Sequence, residues 1–119
     1  MGEHQVLPGY CLLLADPVVP HLNALSRGPR AQFLADMALI GDVLLALTAA
    51  ARINYAIFGN VDPALHAHIF PRDGAEPESM RSKQPWALDW NAAPLYSDGL
   101  HGDFKRRMGL ELSKQGAVI

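Results

Sequence analysis

His66 and His68 are the residues of this chain best placed to do chemistry. They stand two apart in the segment Leu65-His66-Ala67-His68-Ile69-Phe70. On a β-strand, residues two apart project from one face, so the imidazoles are expected side by side, with Leu65, Ala67 and Ile69 turned into the core. Two adjacent imidazoles are costly to protonate together, so at least one is expected to be neutral near pH 7. A neutral ring nitrogen can attack an electrophile such as phosphorus. A neighbouring imidazole can bind a phosphate oxygen or carry a proton. The same spacing also makes half of a metal site. That site would need further ligands from Asp62, His21, His101, Cys11 or a carboxylate elsewhere, and none of these stands at a recognisable spacing. Such a pair can also be free of chemistry, so the residues alone leave nucleophile, metal half-site and plain surface pair open.

The elements that must position the pair are readable from period and breakers. Residues 10–15 are a short apolar run after Pro8-Gly9, closed by Asp16-Pro17, which predicts a buried strand. Val18-Val19-Pro20 is expected to stay extended, since proline disfavours helix before it. Ser26-Arg27-Gly28-Pro29 reads as a helix start. From there Phe33, Met37, Ile40, Leu44 and Leu47 recur at spacings of four and three, and Leu34, Ala38, Gly41, Leu45 and Thr48 widen the stripe. This predicts an amphipathic packing helix over 29–51. Residues 53–58 form a β-rich run ending at Gly59-Asn60, and 65–70 form the next strand, stopped by Pro71. With so short a link the two are expected to be antiparallel neighbours. Residues 72–98 look irregular, and 100–112 suit a last helix with Asp98 as its cap. The expected class is α+β, a small antiparallel sheet packed on one long helix, in a single domain over 1–119 with its informative segment at 53–72 and a tail at 73–119.

Composition narrows the field. The chain has 119 residues, 50% of them hydrophobic, enough for one core. Ten basic against twelve acidic residues leave a net charge of -2, which argues against a nucleic-acid partner held by a basic face. A small anionic ligand held by a few local groups remains compatible with that charge. One cysteine excludes an internal disulfide framework and a zinc site built from several cysteines. MGEHQVLPGY lacks a secretory signal, and the longest apolar stretch, 37–51, carries Asp42 and falls short of the ~20 apolar residues that span a bilayer. A cytoplasmic protein without a membrane partner is therefore expected.

HAHIFPR, preceded by NYAIFGN and a short link, resembles the signature of the histidine triad superfamily, His-φ-His-φ-His-φ-φ with φ apolar, often followed by Pro-Arg. Pro8-Gly9-Tyr10-Cys11-Leu12-Leu13-Leu14 is similar to that family's Pro-Gly-His strand, and the long helix falls in the matching place. The resemblance covers most of residues 8–72. It implies a nucleotide phosphoryl-bond hydrolase or nucleotidyl transferase acting on nucleoside phosphate conjugates, such as a dinucleoside polyphosphate or a phosphoramidate. His66 matches the family's nucleophile, which forms a covalent nucleotidyl-histidine, and His68 the histidine that contacts the phosphate and bridge oxygens. Asn60 lies near the amide residue that helps hold phosphate or the leaving group. The resemblance also implies a homodimer with joined sheets. No metal cofactor is required for the covalent step, although a divalent ion can accompany a polyphosphate substrate. The alternative is a nucleotide-binding module with little or no catalysis.

Two departures bear on this. The first triad histidine is Ala64 here, which removes a hydrogen bond that orients the nucleophile's ring, and a backbone carbonyl is the natural substitute. Only seven residues precede Pro8, where relatives carry another strand that builds much of the nucleoside pocket, so the nucleoside is expected to be held differently or weakly. Among the other polar residues, the fork of Arg72 suits phosphate, although it can equally cap the strand end. His4, His21 and His101 are expected to be solvated, Cys11 to be a small buried hydrophobe, and Trp86 and Trp90 to pack the tail onto the body. Lys105-Arg106-Arg107 reads as a solvated helix face.

Overall fold

A computed structural model describes residues 1–116. Three strands form one antiparallel sheet: β1 (Cys11–Leu14), β2 (Ala50–Ala56) and β3 (His66–Asp73), in the order β1-β3-β2. A long helix, α1 (Arg27–Leu47), and a later one, α3 (Asp98–Lys114), pack together on one side of the sheet. The tail crosses the other side and contains a single helical turn, α2 (Glu78–Arg81), and a 3-10 turn at Pro85–Ala87. The fold is thus α+β, with a small antiparallel sheet on one long helix. Among the described residues, no helix is long and apolar enough to cross a membrane.

Alternation along β3 sorts the two faces. Ala67 and Ile69 are completely buried toward the helices, where Cys11, Val43, Leu44 and Met108 close the main cluster with Ile69. Gly41 brings α1 close to the sheet, since a Cβ there would collide with the Tyr55 ring. The opposite face carries His66, His68, Phe70 and Arg72, and a second cluster of Leu7, Tyr10 and Phe70 covers half of it, joined by Leu88 and Trp90. Phe70 is completely buried and stacks on Tyr10 at 4.2 Å between ring centroids. Phe70→Ala is therefore expected to lower stability by ~3–5 kcal/mol, measured by urea unfolding, because the cavity would lie between two sets of rings that cannot both collapse into it.

Several boundaries differ from the sequence reading for identifiable reasons. The helix ends at Leu47 and not at 51, because Thr48 turns extended and its hydroxyl bonds the Leu44 carbonyl at 2.7 Å. The alanines that follow are good helix formers, yet they begin β2. The helix stripe is also narrower than its period suggests: Leu34 and Leu45 are exposed, while Val43 is buried. β3 runs through Pro71 to Asp73. Pairing with β1 stops at Ile69, so Pro71 faces a neighbouring strand on one side only, where a missing N–H is tolerated. β1 is buried on one face alone, with Leu12 and Leu14 exposed on the other. The cap of α3 is Ser97, whose hydroxyl accepts from the Leu100 N–H, while Asp98 accepts from the Tyr96 hydroxyl.

The segment ahead of β1 forms a pinned loop. Buried Gln5 donates to the carbonyls of Gly2 and Tyr10 and accepts from the Gly9 N–H at 3.0 Å. Gly9 adopts φ 96°, a conformation glycine reaches without strain. Backbone bonds from Gln5 to Pro94 and from Tyr96 to Glu3 tie this loop to the tail. The loop thereby delivers Tyr10 onto the histidine face.

Candidate active site

β3 presents His66 and His68 from one face, both half-buried, with ring centroids 4.9 Å apart and planes at 75°. Across the sheet, Leu14 lies opposite His66, and Leu12 and Ala56 lie opposite His68. The floor of the site is therefore apolar, and its upper surface consists of two imidazoles.

Each ring is held at Nδ1. His66 Nδ1 lies 2.7 Å from the backbone carbonyl oxygen of Ala64. A carbonyl can only accept, so Nδ1 carries the proton and Nε2 carries the lone pair in the neutral ring. The residue that lacks the orienting imidazole thus supplies an orienting carbonyl in its place, and Nε2 has no protein partner among the described residues. His68 Nδ1 lies 2.6 Å from the Tyr10 hydroxyl. Burial pushes the Tyr10 phenol up to about 12, so it stays protonated and acts as the donor. That leaves His68 with its proton on Nε2, as a hydrogen-bond donor. The two rings are consequently set in opposite senses, one with a free lone pair and one with a free N–H.

The surroundings keep His68 neutral. Its basicity is lowered, first by burial and then by the neighbouring His66. The burial comes from rings: Trp86 packs edge-on at 4.9 Å and 89°, Phe58 lies at 6.4 Å, and Tyr10 and Phe70 stack at 6.0 and 6.1 Å. Because the folded state disfavours the protonated ring, His68 contributes stability that is present above its unfolded value of about 6.5 and is lost as the pH falls below it. The stability gap between wild type and His68→Asn, measured by urea unfolding, is expected to narrow between about pH 7.5 and about pH 5.5.

The other residues singled out in the sequence fall in different places. Arg72 shares the face but is only 6% exposed. All five of its N–H donors are engaged: Nε and Nη2 hold Glu76, Nη1 holds Asn54 Oδ1 and the Lys83 carbonyl, and Nη2 also holds the Met80 carbonyl. It has no free donor for phosphate, which corrects the expectation that its fork binds oxyanions or caps the strand at the surface. Asn60 is exposed in the connection between β2 and β3, and no hydrogen bond joins it to either histidine. His21 is exposed in its loop, as expected. His4 and His101 are half-buried and not solvated: His4 tilts against Trp90, and His101 accepts from the Ser97 N–H at 3.0 Å. Cys11 is buried, with its thiol pushed up to about 11 by burial. Among the described residues, no group of three His, Cys, Asp or Glu side chains is arranged to hold a metal ion.

Tyr10 and Asn54 are neighbours that the sequence left without a role in the site, and Trp86, expected to pack the tail onto the body, does so directly against His68. The signals for Tyr10 were its alternation with Leu12 and Leu14 along one strand and its place at the histidine of the Pro-Gly-His resemblance. Its meeting with His68 depends on the register Cys11↔Ile69, which no local pattern reveals.

No protein-family model and no curated protein matches the sequence. Solved structures do match. A histidine triad (HIT) protein from Sinorhizobium meliloti 1021 superposes with a TM-score of 0.77 at 22% identity, over 94% of this chain and 80% of that one. A histidine triad protein from Bradyrhizobium japonicum gives 0.77 at 19% identity, over 92% and 78%. One from Marinobacter aquaeolei VT8 gives 0.80 at 16% identity, over 96% and 80%. The chain therefore shares the fold of histidine triad proteins.

Proposed function

We propose that this chain is a variant histidine triad enzyme, with the first triad histidine replaced by Ala64, that cleaves or transfers at the phosphoryl bond of nucleoside phosphate conjugates. The observation that carries the reading is the opposed setting of the two rings by the Ala64 carbonyl and the Tyr10 hydroxyl. In the first step, the lone pair on His66 Nε2 attacks the α-phosphorus. An N–P bond forms, and the bond to the leaving group breaks with its electron pair going to that group. The imidazole becomes cationic, and the Ala64 carbonyl, already accepting from Nδ1, stabilises it. His68 Nε2–H donates to a phosphoryl oxygen as charge develops there. In the second step, water or another acceptor attacks phosphorus and releases the nucleotidyl group, the acceptor's proton passes to solvent, and His66 returns to its neutral form. A divalent ion can accompany a polyphosphate substrate, and no step is assigned to it.

Asn60 is close enough in sequence to serve the leaving group but has no partner that fixes it, so it is retained only as a substrate contact formed on binding. Arg72 is not assigned to phosphate. A homodimer with joined sheets is proposed with it: β2 is paired on one side only, and its outer edge is open to a second copy.

The test is chemical trapping. Rapid quenching of the protein with a conjugate should yield a species heavier by one nucleotidyl group, and digestion should map it to His66. An adduct on another residue, or none during turnover, would sink the mechanism. One observation favours the second reading, a binding module with little catalysis: position 64 is alanine. In that case mononucleotide binds tightly without turnover, and Ala64→His changes nothing.

A further inference from the structure

We infer that Arg72 is a positioning residue for His68: paired with Glu76, it fixes the 80–86 segment so that Trp86 closes over the side of the His68 ring. Its effect on turnover rests on the reading above, while its effect on the ring does not.

The segment from Gly74 to Trp90 has little regular structure of its own, a single turn of helix and a 3-10 turn. It needs outside anchors, and Arg72 provides them. By alternation Arg72 rises from β3 on the same side as His68, four residues along. Glu76, 8% exposed, returns to it after the turn at Asp73-Gly74 and pairs with it at 2.8 Å. The remaining donors take the carbonyls of Met80 and Lys83 at 3.0 and 2.7 Å, and Asn54 Oδ1 at 3.1 Å ties the same guanidinium to β2. Downstream, Trp90 Nε1 donates to the Pro85 carbonyl at 2.9 Å. Trp86 sits between these anchors and packs against rings: His68 and Phe58 at 4.9 Å, Phe70 at 5.2 Å and Trp90 at 6.1 Å.

Ring contacts alone are weakly directional, whereas a guanidinium with five committed donors is rigid. A buried ion pair contributes little net stability compared with apolar packing, and geometric definition is the part of its contribution that apolar packing would not replace. The groups facing His68 are His66, Tyr10, Phe58, Phe70 and Trp86, and only the first two titrate. Trp86 and Phe58 are 42% and 59% exposed, and Trp86 is the nearer of the two to His68, so it is the main ring between His68 and solvent. Holding it there keeps His68 neutral, while the Tyr10 hydroxyl on Nδ1 sets the N–H on Nε2. Loosening the anchor admits water and raises the basicity of the ring.

The experiment uses full-length protein labelled with ¹⁵N-histidine. Two-bond ¹H–¹⁵N spectra across pH report the tautomer and titration midpoint of His68. Trp86→Ala should move the midpoint upward, and Trp86→Phe should restore it. Glu76→Gln should move it upward as well, and in the Trp86→Ala background the same change should add less than half its separate effect. Asn54→Ala removes one bond and leaves the ion pair, so it provides the same test, with a smaller shift, if Glu76→Gln does not fold. Folded anchor variants that keep the wild-type midpoint, or effects fully additive with Trp86→Ala, would overturn the inference. In turnover, the acid limb of kcat/KM should move to higher pH in the same variants. A moved midpoint with an unmoved limb leaves the positioning intact and removes His68 from the chemistry. Absence of turnover in every form removes the proposed function, and the spectra still decide the positioning.

Discussion

Replacing His66 with alanine is expected to lower kcat for every nucleoside phosphate conjugate by at least ~10³-fold, while leaving the unfolding midpoint and mononucleotide affinity near wild type. The size follows from the role proposed for the residue. A covalent route divides one difficult displacement into two, and no neighbouring group can replace the missing nitrogen: His68 Nδ1 is committed to Tyr10, and its Nε2 carries a proton. The fold should tolerate the change because His66 is half-buried and its one bond is to a carbonyl on its own chain, two residues away. Steady-state kinetics with a dinucleoside polyphosphate and a phosphoramidate, together with calorimetry using a nucleoside monophosphate, would settle the point. Wild-type rates in His66→Ala on every conjugate would remove His66 as the nucleophile.

The second large effect is expected at His68. His68→Ala should reduce kcat by ~10²–10³-fold, the range found when one donor to a developing oxyanion is removed. It should also weaken mononucleotide binding, because the Nε2–H would hold a phosphoryl oxygen in the ground state as well. This separates the two histidines: loss of His66 affects rate alone, and loss of His68 affects both rate and binding. The substitution also leaves the Tyr10 hydroxyl without its partner, so a stability loss of ~1–3 kcal/mol is expected by urea unfolding. A His68→Ala protein with unchanged mononucleotide affinity would show that its Nε2–H does not touch phosphate.

Much of the architecture is legible in the sequence because it depends on local periods. Alternation over 65–70 is enough to put two imidazoles on one face and Ala67 and Ile69 in the core. A three-four spacing is enough for the long helix. Where the reading overran, the local signal was weak: three alanines after Thr48 favour helix, and only a hydroxyl bonding back to Leu44 ends it. Pro71 reads as a stop because proline lacks a donor, yet β3 has one partner strand there and no ladder bond on its empty side to lose.

What sequence alone determined about this protein is the pair: which two side chains stand together on one face of a strand, with their neighbours turned into the core. Those are properties of a strand's two-residue repeat, and they need no knowledge of where the rest of the chain goes. Only the tertiary structure decided how the pair is tuned. Tyr10 meets His68 across 58 residues of chain. Arg72 is withdrawn from any ligand because Glu76 and two carbonyls return to it. Trp86 covers His68 because that same return places it there. Such contacts depend on strand register and on the path of a tail without periodicity, and both emerge only once the sheet has formed.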